Sequence, residues 1–204
     1  MFSEKNQNGI PSPSSRRKFF AAIGGAAATA LAWACFQPRN PVQAAAIAAS
    51  AGSPKFVKIV LFTDAGQREK TVTLPVIVKT EDQWRKQLSP EAFAVTREAA
   101  TERAYTNENP NNHGKGIFRC ICCDTALFDS TTKFESGTGW PSFWVPIAKE
   151  NILETPDISL GMIRTAVSCR LCDAHLGHVF DDGPQPTGQR YCMNSAAMHF
   201  VKQA

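Results

Sequence analysis

Seven cysteines and four histidines among 204 residues carry most of the chemistry open to this chain. Four of the cysteines form two Cys-x-x-Cys pairs, Cys120 with Cys123 and Cys169 with Cys172. Two such pairs can gather four thiolates round Zn²⁺ at about 2.3 Å, a closed tetrahedral shell that leaves no position for an activated water. The metal would then staple two loops together without reacting. Two disulfides are the alternative in an oxidising compartment, and a redox-active pair is another. Cys122 sits inside the first pair, and spacing to Cys123 selects Cys120 as the ligand.

Beyond Cys35 near the N-terminus, one cysteine remains. Cys192 lies in Arg190-Tyr191-Cys192-Met193-Asn194. A lone cysteine is commonly an apolar filler. Here Arg190 and Asn194 stand two residues to either side, so an extended strand would turn all three to one face. A guanidinium beside a thiol lowers its pKa from about 8.5 and favours the thiolate. His175 and His178 flank Leu176-Gly177 shortly upstream, with Asp182 following, and an imidazole can hand over a proton near neutral pH. In Ser136–Trp144, glycine and proline crowd aromatic residues into an irregular loop. Phe143 and Trp144 read as core anchors, and Trp140 as a pocket wall.

These groups need a scaffold. Phe56–Phe62 and Thr71–Val78 are β-rich runs separated by Asp64-Ala65-Gly66, which predicts a hairpin. Thr80-Glu81-Asp82-Gln83 has capping-box form and opens a short helix through Leu88. Ser89-Pro90-Glu91 starts a second helix, ending near Ala100. From Thr101 onward, short runs such as Gly116–Cys120, Ile163–Ser168, His178–Phe180 and His199–Lys202 are broken by Gly, Pro, Asn and Asp. The pattern predicts a mainly β domain with helices at its start.

The net charge of +4 is confined to the N-terminus: of 22 basic and 18 acidic residues, 17 of each remain from residue 45 onward. No basic face asks for nucleic acid. Residues 1–44 carry Arg16-Arg17 before an Ala- and Gly-rich apolar stretch and then small residues round Ala44. This resembles a twin-arginine export signal, handled by the machinery that moves folded proteins and delivering the chain to a periplasm. An uncleaved membrane anchor is the alternative, since Phe19–Phe36 is just long enough to span a bilayer. Residues 45–54 read as a linker.

Gly139-Trp140-Pro141-Ser142-Phe143, Ala174–Phe180 with Asp182-Gly183-Pro184, and Thr187-Gly188 with Arg190-Tyr191-Cys192-Met193-Asn194-Ser195 resemble the B-type peptide methionine (R)-sulfoxide reductases. Gln83-Trp84-Arg85, Leu88-Ser89-Pro90-Glu91 and Thr101-Glu102-Arg103 also fit, so the likeness spans residues 79–201. It implies two antiparallel sheets leaning together (a β-tent) with short N-terminal helices. It also places one structural zinc on Cys120, Cys123, Cys169 and Cys172. The chain then divides into a signal (1–44), a linker with hairpin (45–78) and the reductase domain (79–204). By the same resemblance Cys192 is the nucleophile and His178 the proton donor. Trp140 packs on the substrate methyl group; His175, Arg190 and Asn194 orient the sulfoxide or polarise the thiolate; Asp182 stands behind them. Oxidised peptides or proteins are the substrates.

Two departures stand out. Many members carry a resolving cysteine where this chain has Thr138, so a thioredoxin-like, glutaredoxin-like or small-thiol reductant, or else Cys122, must reduce the oxidised Cys192. Ala104 and Asn107–Pro110 also differ from the common pattern, reshaping one wall of the cleft. A zinc-braced binding module without turnover is the rival, and it would not need Cys192, His178 and Trp140 together.

Overall fold

The computed structural model describes residues 53–107 and 112–203. The expected export signal, its expected cleavage site and most of the expected linker lie outside the described residues. Strands β1 (Phe56–Phe62) and β2 (Arg68–Pro75) pair antiparallel, turning through a loop in which Gly66 takes φ +78°. β2 begins at Arg68 rather than Thr71. The charged Arg68, Glu69 and Lys70 are exposed and borrow their strand conformation from pairing with β1, which outweighs their own weak β preference.

Helix α1 (Glu81–Gln87) opens with the expected box: Thr80 Oγ1 accepts from Gln83 N at 3.3 Å, and Gln83 Oε1 accepts from Thr80 N at 2.9 Å. Helix α2 (Pro90–Glu98) is capped by the Ser89 hydroxyl and stops at Ala99, in the left-handed region at φ 55°. It packs on one strand of the larger sheet and on the turn at Ser195–Ala197.

That larger sheet has the order β5-β6-β10-β9-β8-β7, all antiparallel: β5 (Lys133–Phe134), β6 (Ser142–Phe143), β7 (Ile152–Asp157), β8 (Arg164–Cys169), β9 (His175–Phe180) and β10 (Arg190–Met193). A second sheet, β11-β3-β4, uses β3 (Gly116–Cys120), β4 (Ala126–Asp129) and β11 (Met198–Lys202). Its arrangement is the mainly β, two-sheet fold the sequence predicts. An aromatic seam joins the sheets: Phe143 of β6 stacks on Phe128 of β4 at 4.4 Å and meets Phe118 of β3 edge-on at 5.0 Å. Tyr191 and Met193 point into this core, while Arg190 and Cys192 face the other way by strand alternation. Trp144 is only half-buried, so Phe143 alone is the full anchor.

The hairpin belongs to the same compact unit, residues 51–204. Asn151, fully buried, accepts from Val60 N at 2.7 Å and donates to Val60 O and Ala126 O. Arg119 Nη2 reaches Phe62 O and Asp64 Oδ1, each at 2.9 Å.

Candidate active site

Strand β10 lies between β9 and β6, and Cys192 stands directly opposite His178 on one side and Ser142 on the other. Directly opposed residues have Cβ atoms about 4.5–5.5 Å apart, which sets the two side chains side by side on one face of the sheet. Gly177 lets the strands close this tightly: a Cβ there would lie 2.1 Å from the Cys192 carbonyl oxygen.

In a regular strand His175 and His178 would face opposite ways. They do not, because β9 carries a bulge. Val167 faces Gly177 and Ser168 faces His175, leaving Leu176 as an extra residue. The bulge turns His175 back toward His178, with ring centroids 5.3 Å apart. His175 is buried and its Nε2 has no partner among the described residues. Burial first, then the neighbouring His178 and Arg164, pushes its pKa down to about 4.

Asn194 holds the bulge. It was expected to share the cysteine's face, but β10 ends at Met193 and Asn194 is buried beyond it. Its backbone N–H and Nδ2 both donate to Leu176 O, at 2.8 and 3.0 Å, while Oδ1 accepts from Glu102 N at 3.0 Å. Its amide therefore shapes β9 rather than reaching the sulfur. Glu102, buried, is a positioning residue that the chain marks only as part of Thr101-Glu102-Arg103, with no role attached: its carboxylate accepts from Ser195 N and Ala196 N at 2.7 Å each, and its carbonyl accepts from Trp140 Nε1 at 3.1 Å. One acid thus ties the indole plane to the turn after Cys192.

The loop carrying Trp140 rides on β10, since Pro141 O accepts from Met193 N at 3.0 Å. Ahead of it a row of hydroxyls leads to the sulfur. Ser142 Oγ and Ser136 Oγ are 2.8 Å apart, Ser136 Oγ and Thr138 Oγ1 again 2.8 Å, and Thr138 Oγ1 stands 4.0 Å from Cys192 Sγ.

Arg190 makes a two-pronged bond to Asp182 at 2.8 Å per contact and covers the Phe180 ring. Asp182 therefore acts on Arg190 and not on the site directly. The expectation of a lowered cysteine pKa is corrected here. Burial raises the Cys192 thiol, and it outweighs the opposing pull of Arg190, Thr138 and Ser142.

The sequence reading missed Asp157. Its Oδ2 lies 2.8 Å from His178 Nε2 and 2.8 Å from Arg164 Nη2. His178 leans across the small Ala166 of β8 to reach it on β7. Bonds from the Ser159 hydroxyl and backbone, then from His178, hold the Asp157 carboxyl well below the usual carboxylate range. A carboxylate at the end of one β-rich run has no local mark; only the sheet order brings it here. With His175, His178 and Arg164, it lines a cleft of about 590 Å³.

The four sulfurs of Cys120, Cys123, Cys169 and Cys172 all lie within 4.8 Å of one another. The nearest pairs join one loop to the other at 3.7 and 3.5 Å. A disulfide needs about 2.05 Å, whereas four thiolates about 2.3 Å from Zn²⁺ stand roughly 3.8 Å apart. The set fits zinc. Both loops have one conformation: Asp124 N donates to Cys120 O and Asp173 N to Cys169 O, each at 2.9 Å, with Asp124 and Asp173 in the left-handed region. Cys122 is buried in the core beside Cys120 and Cys172.

The SelR domain family matches residues 88–202, more than half of the chain. This chain belongs to the SelR domain family. It is 52% identical over 132 residues to a peptide methionine sulfoxide reductase MsrB of Synechococcus sp. (strain RCC307), covering 65% of this chain and 96% of that protein. It is 53% identical over 124 residues to the MsrB of Hahella chejuensis, covering 61% and 89%. Peptide methionine sulfoxide reductase B1, chloroplastic, of Arabidopsis thaliana is 55% identical over 120 residues, 58% of this chain and 59% of that one. The SelR match starts beyond β2, so the hairpin clamped by Asn151 stands outside it.

Proposed function

We propose that this protein reduces methionine sulfoxide in oxidised peptides and proteins, taking the R epimer. The observation that carries the reading is the opposition of Cys192 and His178 on adjacent strands. The sulfur of a sulfoxide is electrophilic, but its oxygen departs only when protonated, so a sulfur nucleophile and an acid must act together. Cys192 Sγ takes the oxygen while a proton from His178 neutralises it. The products are methionine and a Cys192 sulfenic acid. Asp157 holds the imidazole in place. Trp140 fits against the substrate methyl group, and His175 Nε2 is free to bond the substrate.

Thr138 has no redox chemistry and Cys122 faces the core, so an external thiol of thioredoxin-like, glutaredoxin-like or small-molecule type regenerates the enzyme. It attacks the sulfenic sulfur, water leaves, and a second thiol frees Cys192 as the donor becomes a disulfide. Zn²⁺, bound by Cys120, Cys123, Cys169 and Cys172, would brace the two sheets and take no part in the reaction. The leader supports export to the periplasm by the twin-arginine route, with an uncleaved anchor as the alternative; mass analysis of the mature protein from a membrane and a soluble fraction separates them.

Purified protein from residue 45 onward, given both epimers of peptide methionine sulfoxide with dithiothreitol, should consume one. Cys192→Ser should abolish this. Loss of both epimers, or turnover surviving in that variant, counts against the assignment.

A further inference from the structure

Between β7 and β8 the chain exposes a run of apolar side chains beside the cleft that His175 and His178 line. Ile158 is 79% exposed, Ile163 91% and Met162 45%. Scattered apolar residues at a surface need no explanation, but three on one short loop beside a reactive site do. The loop is not loose. Ser159 N donates to Asp157 Oδ1 at 2.9 Å, Arg164 Nη2 reaches the Ser159 hydroxyl at 3.2 Å, and Met162 N donates to Ser159 O at 3.1 Å. It is continuous with the site, since Ile158 and Ser159 line the cleft together with His175 and His178. At about 590 Å³ that cleft is in the range that holds a drug-sized ligand, more than one side chain requires. Its charges are already spent: Asp157 is bonded to both Arg164 and His178.

We infer that the Ile158–Ile163 loop is a docking rim for the substrate chain, selecting methionine sulfoxide with apolar residues as its sequence neighbours. This rests on the sulfoxide-reductase reading and adds the substrate class to it. A polypeptide whose oxidised methionine enters the cleft must lay its adjoining residues on the rim. Among the described residues the rim offers hydrocarbon and no unpaired charge, so apolar neighbours lose water on both sides while charged ones lose hydration without return. Holding the loop in place beforehand spares the cost of ordering it on binding.

The test compares three substrates with dithiothreitol as donor: an N-acetylated methionine sulfoxide amide, which has no neighbours, and two short peptides with the sulfoxide flanked by Leu and Val or by Ser and Gly. The wild type should show a KM for the apolar peptide about tenfold below that for the polar one, a difference of ~1.4 kcal/mol, with similar kcat. Met162→Ser combined with Ile163→Ser should erase most of that preference while leaving turnover of the small amide unchanged. Met162→Leu with Ile163→Leu should keep the preference. Equal KM values for the two peptides in the wild type, or a preference surviving the serine variant, would overturn the rim. So would concentration-dependent dimerisation that the serine variant abolishes, because the loop would then be covered by a second copy. Failure to turn over the small amide sinks the reductase reading itself and is read separately.

Discussion

A half-buried thiol that must ionise is the central tension at the scale of single residues. Burial lifts Cys192 above its ordinary range despite Arg190. Its alkylation by iodoacetamide should therefore rise with a midpoint above about 8.5, and Arg190→Gln should move that midpoint higher. Asp157→Asn should cut kcat by about 10–100-fold, because the imidazole loses the carboxylate that fixes its ring at 2.8 Å. Steady-state kinetics of that variant check it, and an unchanged kcat would remove Asp157 from the reaction. His175 predicts a stability effect. It is held neutral in the fold, with its pKa down at about 4, while an unfolded chain takes up the proton near 6.5. Stability is thus intact above about pH 6.5 and declines as pH falls toward 4, by up to roughly 3 kcal/mol. Urea unfolding across that window should show the slope, and His175→Gln should flatten it. Asp157 adds its own loss only at lower pH, beneath the ordinary carboxylate range.

At the scale of elements, the zinc-type site joins the end of β3 in one sheet to the end of β8 in the other. Replacing Cys169 or Cys172 with Ser should release about one zinc per chain and lower the melting temperature on the order of 10–20 °C, read by metal analysis and calorimetry. The cysteine pairs, the capping box and the hairpin turn were legible in the chain because each is a local pattern with a local cause. The bulge at Leu176 was not. Nothing in His175-Leu176-Gly177-His178 says that one residue is extra, since the count is set by the register of β8. The same blindness misplaced Asn194, whose role depends on a carbonyl from another strand, and hid Asp157 and Glu102, whose partners are remote in the chain. Residue types announced the chemistry; pairing decided which of them could meet.

Over the whole molecule, the hairpin preceding the SelR match is a working part of the fold. Ile59 and Val60 are buried, and the Asn151 amide makes three bonds, two to Val60 and one to Ala126. Asn151→Ala leaves these buried groups unpaired and should cost about 2–4 kcal/mol, seen as an earlier urea midpoint. A chain begun at residue 79 should be less stable still, although it keeps every residue assigned to the reaction. The path of the backbone ties the rest together. From Cys192 the chain finishes β10, makes one tight turn and enters β11, where Met198 sits opposite the ligand Cys120. The reactive sulfur and the ion-binding sulfurs are therefore neighbours along one short stretch of paired backbone. Thermal inactivation and the appearance of free zinc in a chromogenic chelator should consequently run on a single clock, each with the same half-life.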